Sequence, residues 1–141
     1  MNRTALLAQL EEDEGFRSSA YQDSESFWTI GIGRLIDKRK GGGISKEEAL
    51  FLLSNDVART EKELDQKLPW WRGLDDVRQR VIANMSFNLG VPGLLGFKNT
   101  LKAVHESRWD DAADGMLSSK WATQVGKRAH RLARMMRTGK D

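Results

Sequence analysis

The first residues of the chain alternate between apolar and polar side chains at helical spacing. Leu6, Leu7 and Leu10 fall within residues 3–13, and acidic residues cluster towards the end of this segment. Gly15 follows, and a glycine just past the last periodic position commonly ends a helix. The pattern therefore predicts a short amphipathic helix that stops at this glycine.

A stretch with a different rhythm comes next. Residues 20–33 alternate with a period of roughly two and carry aromatic and β-branched side chains. Turn-forming residues occupy positions 23–26, so we predict a β-hairpin. Gly31 and Gly33 would weaken a strand, and glycines in such places often mark a close approach of backbone or ligand.

A long helix is predicted at about residues 46–68. Ser45 and Glu48 have the spacing of a capping box at its start, and an apolar stripe continues to Pro69. A helix of about 20 residues is about 30 Å long. That length suits a connection between two lobes of a small protein.

The pattern beyond Pro69 is mainly helical. Asp75 or Asp76 can cap a helix that ends at Gly90, and its apolar stripe, the strongest in the chain, places it at the centre of a larger helical lobe. Residues 91–96 are predicted to form a loop. Further helices are predicted at about 98–107, 109–118 and 126–137.

Length and composition exclude several classes of protein. With 141 residues and 39% hydrophobic content, the chain can form one domain with a proper core, and it has no apolar run long enough to cross a membrane. It has no cysteine, which excludes disulfides and thiolate metal sites. Its histidines, His105 and His130, lack ligand spacing, so we predict neither a metal nor another cofactor.

Positive charge is concentrated near the end of the chain, although the formal net charge is only +3. From Lys120 onward, seven basic residues face one acidic residue, Asp141. This asymmetry favours a polyanionic partner, such as nucleic acid, an anionic membrane surface or an anionic cell wall, unless the charges form a solvated helix face. No aromatic platform interleaves with them, so we expect no nucleic-acid binding.

Glu14, Asp23 and Thr29 lie where the predicted helix ends and the hairpin turns back. Cleavage of a glycosidic bond generally needs one carboxylic acid to protonate the leaving oxygen and a second carboxylate on the other face of the sugar. A hairpin could bring two such groups together. Each residue also has a plain structural interpretation, as an acid near a helix end, a turn-forming aspartate and a strand threonine.

The spacing of these residues, with eight positions between the acids and five before the threonine, resembles that of the phage-type lysozymes, glycoside hydrolase family 24. The glycine-rich stretch from Thr29 to Gly33 agrees with the same family. Later segments resemble its C-terminal lobe, among them Asn84-Met85, Phe87, Gly96-Phe97, Arg108-Trp109-Asp110, Trp121 and Arg128-Ala129. The resemblance therefore covers nearly the whole chain.

This resemblance implies an α+β, mostly helical, two-lobed lysozyme-like fold over residues 1–141. The small lobe, at about 14–45, would hold a short antiparallel sheet, and a connecting helix would follow at about 46–68. The larger helical lobe would comprise about 1–13 together with 69–141.

The activity that the resemblance implies is that of a muramidase, which hydrolyses the β-1,4 bond between N-acetylmuramic acid and N-acetylglucosamine in peptidoglycan. Glu14 would be the general acid, and Asp23 and Thr29 would position or activate the water. The reaction would invert the anomeric configuration, so the carboxyl groups should lie farther apart than the roughly 5 Å of retaining enzymes.

Sugar-contacting positions also carry over by resemblance. They are Leu35, Phe87, Asn88 and Thr100, with threonine standing where the family has serine. Gly115 occupies a position where the family carries a polar side chain, which puts the corresponding contact in question.

Three further residues would support the site. Arg128 falls where the family places an arginine against the catalytic acid, whose carboxyl group it would orient. Arg34 stands in place of a histidine that pairs with an aspartate of the connecting helix, and Asp56 matches that aspartate. We therefore predict an Arg34–Asp56 ion pair, which would stay charged throughout the working pH range.

The resemblance further implies an endolysin that acts as a monomer on peptidoglycan glycan strands and lyses the host to release phage progeny. With no recognisable signal segment, it would stay in the host cytoplasm until a membrane pore admits it to the periplasmic wall. Weak contact of the basic C-terminal helix with anionic membrane surfaces is a further hypothesis. The alternative class, a non-catalytic wall-binding or structural relative, is disfavoured by the intact Glu14, Asp23 and Thr29.

Overall fold

The computed structural model describes residues 1–36 and 42–141 of the chain. They form two compact units, Met1–Leu52 and Leu53–Asp141, with the boundary inside a long helix. Helices dominate, and the strands form a small antiparallel sheet, which confirms the predicted mostly helical α+β class. The finer division, with residues 1–13 counted in the helical lobe, stays a prediction.

The first unit begins with α1, Arg3–Glu14, which confirms the first predicted helix. Asn2 caps it, because its Oδ1 accepts a hydrogen bond from the backbone N–H of Ala5 at 3.1 Å. Gly15 ends it with a φ of +68°, a left-handed value that glycine adopts at no steric cost. The chain therefore leaves the helix at the residue that directly follows Glu14.

The predicted hairpin is present and gains a third strand. β1 (Arg17–Gln22) pairs antiparallel with β2 (Trp28–Gly31), and β2 pairs antiparallel with β3 (Arg34–Leu35). The strand order is therefore β1-β2-β3, with β2 in the middle. Thr29 of the central strand has a paired residue on both sides and is only 3% exposed.

α2 runs from Lys46 to Lys67 and confirms the predicted long helix. Ser45 and Glu48 form the predicted capping box. The Ser45 N–H donates to Glu48 Oε2 at 2.7 Å, and the Glu48 N–H donates to Ser45 Oγ at 3.1 Å. These reciprocal bonds satisfy two backbone donors that the start of a helix leaves open.

The second unit continues with a 3-10 turn at Trp71–Gly73 and α3, Asp76–Leu89. Asp75 caps α3 as predicted, because its Oδ1 accepts the N–H of Arg78 at 3.0 Å. The helices that follow are α4 (Val91–Leu95), α5 (Lys98–His105), α6 (Trp109–Leu117), α7 (Lys120–Val125) and α8 (Lys127–Thr138).

The structure corrects the sequence pattern at two short segments. Residues 91–96, predicted as a loop, contain α4, and Pro92 suits its first turn because no intrahelical N–H is needed there. α7 has no counterpart in the prediction, since its six residues are too few to show a helical period. Ser119, whose Oγ accepts the Ala122 N–H at 3.2 Å, is a local signal for it.

The core of the second unit is apolar and helical. Val81, Ile82 and Met85 of α3 are at most 1% exposed, which agrees with the central place predicted for this helix. Other helices and the 3-10 turn contribute the buried side chains Leu64, Trp71, Leu94, Val104, Met116, Leu132 and Met136. Burying one large apolar side chain contributes about 1.5–3 kcal/mol, so this cluster is the main stabilising feature of the unit.

One largely buried arginine connects α3 to the end of α8. Arg78 Nε donates to the carbonyl of Met136 at 2.8 Å, and its Nη2 donates to that of Arg137 at 3.2 Å. The guanidinium carbon lies 3.9 Å from the ring centroid of Trp109, and Nη1 pairs with Asp75 at 2.7 Å. Only 11% of the Arg78 side chain is exposed, so these contacts replace its hydration almost completely.

We predict that Arg78→Met lowers the free energy of unfolding by about 2–4 kcal/mol, because it leaves Asp75 without its partner and the last carbonyls of α8 without a donor. Arg108→Met is the matched control, since the ion pairs of Arg108 with Glu106 and Asp111 are exposed to solvent and should contribute little to stability. Urea denaturation measures both. Equal losses in the two variants would contradict the role assigned to Arg78.

Candidate active site

Glu14 stands at the junction of α1 and the sheet, and its carboxyl group lies against Gly33. A Cβ atom on residue 33 would be 2.7 Å from Glu14 Oε2 and 2.9 Å from Glu14 Cδ, closer than real Cβ atoms come. Gly33 also has a φ of +67°, in the left-handed region that favours glycine. The backbone conformation therefore requires glycine here, and an added Cβ atom would push the end of the exposed Glu14 side chain out of its present position. Gly33 thus marks a close approach, although the approaching group is a side chain and not the backbone or ligand that such glycines often accommodate.

Asp23 lies in the turn between β1 and β2. Its Oδ1 accepts two backbone N–H groups, from Glu25 at 2.9 Å and from Phe27 at 2.8 Å, as in an Asx turn. Ser26 adopts a φ of +64° within this turn. The structural interpretation of Asp23 as a turn former is therefore correct, and it uses only one of the two carboxylate oxygens.

The backbone of Phe27 links Asp23 to Thr29. Its carbonyl oxygen accepts the Asp23 N–H at 2.9 Å and the Thr29 hydroxyl at 3.2 Å. Because a hydroxyl that donates one bond still has acceptor lone pairs, Thr29 keeps the capacity to accept a hydrogen bond from water. Leu35, a predicted sugar contact, lies opposite Thr29 on β3 and is half-buried.

The three predicted catalytic residues thus form two local groups in the first unit. Asp23 and Thr29 are joined through Phe27, whereas Glu14 lies at the turn after β2, against Gly33. Along the chain, Glu14 lies three residues before the start of β1, and Asp23 follows its last residue. Their roles in the chemistry stay predictions.

Arg34 contacts a different carboxylate from the predicted one. Its Nη1 donates to Glu48 Oε2 at 3.2 Å and to the carbonyl of Gly43 at 3.1 Å, and its Nη2 contacts Glu48 Oε1. Asp56 pairs instead with Arg59 on its own helix. The predicted Arg34–Asp56 pair is corrected, because the capping box already sets the Glu48 carboxylate within reach of β3.

The surroundings of Glu48 favour its charged form. The backbone N–H of Ser45 is the largest cause and lowers the pKa of the Glu48 carboxyl; desolvation opposes it, and the Arg34 guanidinium adds to the lowering. Because the folded-state pKa is depressed, any stabilisation by this pair is present above the pKa of an unfolded glutamate and is lost as the pH falls through the folded value.

Two predicted site residues of the second unit, Phe87 and Arg128, line one cavity of about 530 Å³. Its lining is largely apolar, and further arginines stand around it: Arg80, Arg131 and Arg134. Phe87 is 46% exposed, an unusual position for a large aromatic ring on a helix that is otherwise so apolar. The structure therefore brings an aromatic surface and cationic side chains together in one cavity.

Arg128 is held by Asn84 of α3. Its Nε donates to Asn84 Oδ1 at 2.9 Å, and its Nη2 donates to the same oxygen at 2.7 Å and to the Asn84 carbonyl at 3.2 Å. Sequence reasoning assigned no role to Asn84. The available signal is that an amide side chain interrupts the most apolar helical stripe of the chain.

Asn88 lies one helical turn further on α3 and is exposed. Its Oδ1 accepts the indole N–H of Trp121 at 2.8 Å, and Trp121 is itself only 3% exposed. A fixed indole thus orients the amide and leaves its two N–H groups to donate to a ligand. Trp121 is, after Asn84, the second residue whose contact with a predicted site residue was not foreseen from the sequence.

Thr100 lies in a separate cavity of about 320 Å³, which Lys102, Arg108 and Gly115 also line. Thr100 is 8% exposed, and a Cβ atom on residue 115 would lie 2.4 Å from its Oγ1. A side chain at position 115 is therefore incompatible with the present Thr100 rotamer. Thr100 and Gly115 are therefore sterically matched to each other.

We predict that Gly115→Ala lowers the free energy of unfolding by about 1 kcal/mol, because overpacking costs about 1–3 kcal/mol and the better helix propensity of alanine returns about 1 kcal/mol. In the double variant Thr100→Ala/Gly115→Ala the clashing oxygen is absent. A double-mutant cycle by urea denaturation should therefore give a favourable coupling of about 1 kcal/mol. Strictly additive effects would show that the two side chains do not compete for space.

The chain matches the family model described as Phage lysozyme over residues 11–138. It is 33% identical to the probable T4-type lysozyme 1 and 30% identical to the probable T4-type lysozyme 2 of Dictyostelium discoideum, over 96% of this chain and 95% of each relative. It is also 29% identical to the pre-baseplate central spike protein Gp5 of Enterobacteria phage T4, over 96% of this chain and 28% of that protein. The family match includes Glu14, Asp23 and Thr29, and the chain belongs to the phage lysozyme family.

Proposed function

We propose that the protein is a muramidase that hydrolyses the β-1,4 bond between N-acetylmuramic acid and N-acetylglucosamine in peptidoglycan. The observation that carries the proposal is the position of Glu14. Its carboxyl group is exposed and lies against Gly33, whose positive φ and missing side chain leave room for it. Membership of the phage lysozyme family supports the same reaction.

In the proposed reaction Glu14 is the general acid. It gives its proton to the glycosidic oxygen, which leaves as the 4-hydroxyl of N-acetylglucosamine, while a water molecule attacks C1 of N-acetylmuramic acid. Asp23 takes one proton of the water through Oδ2, the oxygen outside the Asx turn. Thr29 accepts a hydrogen bond from the other O–H of the water, since its own proton is directed at the carbonyl of Phe27.

Attack by water on the face opposite the leaving group inverts the anomeric configuration. It needs carboxyl groups about 6.5–9.5 Å apart, because the water must fit between the second carboxylate and the sugar. The attachment of Glu14 before β1 and of Asp23 after it supports this wider spacing over the close pair of a retaining enzyme.

For the biological role we propose an endolysin that lyses the host cell and releases phage progeny. The family description, phage lysozyme, supports this role. In this proposal the enzyme remains in the host cytoplasm until a membrane pore admits it to the periplasmic wall, where it acts as a monomer on glycan strands.

Contact of α8 with anionic membranes is a weaker proposal. The apolar residues of this helix, Leu132, Ala133, Met135 and Met136, are buried in the core of the second unit, so its exposed face offers mainly charge. Insertion of an apolar face, on which interfacial helices depend, would require the unit to open. Among the described residues, no helix has the length and apolar character that crossing a bilayer requires.

Glu14→Gln should lower the rate of lysis of outer-membrane-permeabilised Gram-negative cells by at least about 100-fold, because a positioned general acid contributes about 10²–10⁴-fold. Turbidity measures the rate. Glu12→Gln is the matched control, an exposed glutamate of the same helix that should keep full activity. Lysis by Glu14→Gln at the wild-type rate would favour the alternative of a wall-binding or structural protein.

Gly33→Ala should lower kcat by about 100-fold, because displacing a catalytic group by about 1 Å can cost that much. Gly31→Ala separates this effect from backbone strain. Gly31 has almost the same φ, +68°, but an added Cβ there meets nothing within 4 Å. Both variants should lose about 1–2 kcal/mol of unfolding free energy, measured in urea, and only Gly33→Ala should lose activity. Equal kcat values in the two variants would show that the contact between Gly33 and the Glu14 carboxyl group does not matter for catalysis.

A further inference from the structure

We propose that Arg17, supported by the ring of Tyr21, is a specificity-determining residue that binds a carboxylate on the peptide stems of peptidoglycan. The inference rests on the proposed function, because it concerns the same substrate. It also goes beyond that function, since hydrolysis of a glycosidic bond requires no contact with the peptides that the N-acetylmuramic acid units carry.

Arg17 and Tyr21 lie on the face of the sheet that carries Thr29. Tyr21 is paired with Thr29 across β1 and β2, and Arg17 is paired with Gly31, two positions further along β2. Paired residues, and residues two apart on one strand, share a face of the sheet. Leu35, a predicted sugar contact, is paired with Thr29 on β3 and lies on this face too. The arginine therefore shares a surface with two residues that the proposed function uses.

The ring of Tyr21 supports the guanidinium of Arg17. The guanidinium carbon lies over the ring, 4.7 Å from its centroid, which is within the range of about 6 Å for a cation–π contact. Tyr21 is half-buried and Arg17 is exposed, so the ring is the anchored partner and the cation faces solvent. Because this contact uses no N–H group, the fork of donors that matches a carboxylate remains available.

The charge of Arg17 is not compensated by the protein. In the part of the chain that the structure describes, Arg17 forms no ion pair. Glu14 precedes it by three positions, but the Glu14 carboxyl group lies against Gly33. Arg34 of β3, by contrast, is bound to the carboxylate of Glu48. A cation that is stacked but unpaired suits an anion supplied from outside.

The position of Arg17 along the sheet suits a group that projects from the sugar chain. Arg17 lies four positions before Tyr21, the partner of Thr29, which corresponds to at most about 13 Å along a strand. This is longer than one sugar ring, so a substrate bound at Thr29 would reach Arg17 with a neighbouring unit or its substituent.

The chemistry of the substrate leaves one source for the anion. The glycan backbone of peptidoglycan carries hydroxyl and N-acetyl groups, which are neutral. The lactyl carboxyl group of N-acetylmuramic acid is joined to the first amino acid of the stem by an amide bond and is neutral as well. The carboxylates of intact peptidoglycan strands therefore belong to the stem peptides, and these are the groups that a guanidinium would select.

The test compares wild type and Arg17→Gln, as full chains, on two preparations of uncrosslinked glycan strands that retain their stems. One preparation is native, and in the other the stem carboxylates are converted to methylamides. On native strands Arg17→Gln should raise KM about fivefold at low salt and leave kcat unchanged, because it removes a charge-assisted contact made equally in the ground and transition states. On amidated strands the two proteins should have the same KM.

Two further variants separate charge from geometry. Arg17→Lys should recover only part of the affinity for native strands, since it keeps the charge but loses the planar fork. Tyr21→Leu removes the ring beneath the guanidinium and should raise KM on native strands. Combined with Arg17→Gln it should add little, because both changes act on one contact.

Arg3→Gln is the matched control, since it removes the same charge from an exposed arginine of α1 and should leave KM unchanged on both preparations. If Arg17→Gln keeps the wild-type KM on native strands, or raises KM equally on native and amidated strands, the inference is wrong and the proposed function stands. Failure of the wild type to cleave native strands overturns the proposed function itself.

Discussion

The carboxyl group of Glu14 lies in space that a Cβ atom at position 33 would occupy, so its present position depends on Gly33. Two glycines with positive φ shape the chain around this contact. Gly15 ends α1 directly after Glu14, and Gly33 turns the chain between β2 and β3. Neither turn can hold an ordinary side chain without strain. Backbone conformation and the proposed chemistry are therefore linked, because the glycine that turns the chain between β2 and β3 also contacts the proposed general acid.

Two arginines of the second unit connect α3 to α8 through partners of different charge. Arg78 is largely buried and is bound by a carboxylate, two carbonyls and an aromatic ring, so its charge is compensated and it stabilises the packing of α3 on α8. Arg128 connects the same two helices but is held by the neutral amide of Asn84. In the first arrangement a carboxylate compensates the charge of the arginine, and in the second a neutral amide holds the arginine through hydrogen bonds.

Local signals in the sequence were sufficient for the elements that carry the proposed chemistry. The stop at Gly15, the hairpin turn and the Ser45–Glu48 capping box each depend on residues within a few positions of one another. Partner choice could not be predicted in this way. Arg34 binds Glu48, 14 positions away, because the fold sets β3 beside the start of α2, and a pairing carried over from a family pattern does not contain that geometry. The contacts of Asn84 with Arg128 and of Asn88 with Trp121 span 44 and 33 positions and depend on helix packing.

The central claim is that the exposed acid at this helix end drives hydrolysis of a glycosidic bond. Mass spectrometry of borohydride-reduced products from purified peptidoglycan tests it most directly, since it identifies both the bond and the type of cleavage. The account predicts disaccharide peptides that end in reduced N-acetylmuramic acid, absent when Glu14 is replaced by glutamine. Products that end in anhydro-muramic acid would identify a lytic transglycosylase, and products that retain intact glycan strands would rule out a glycosidase altogether.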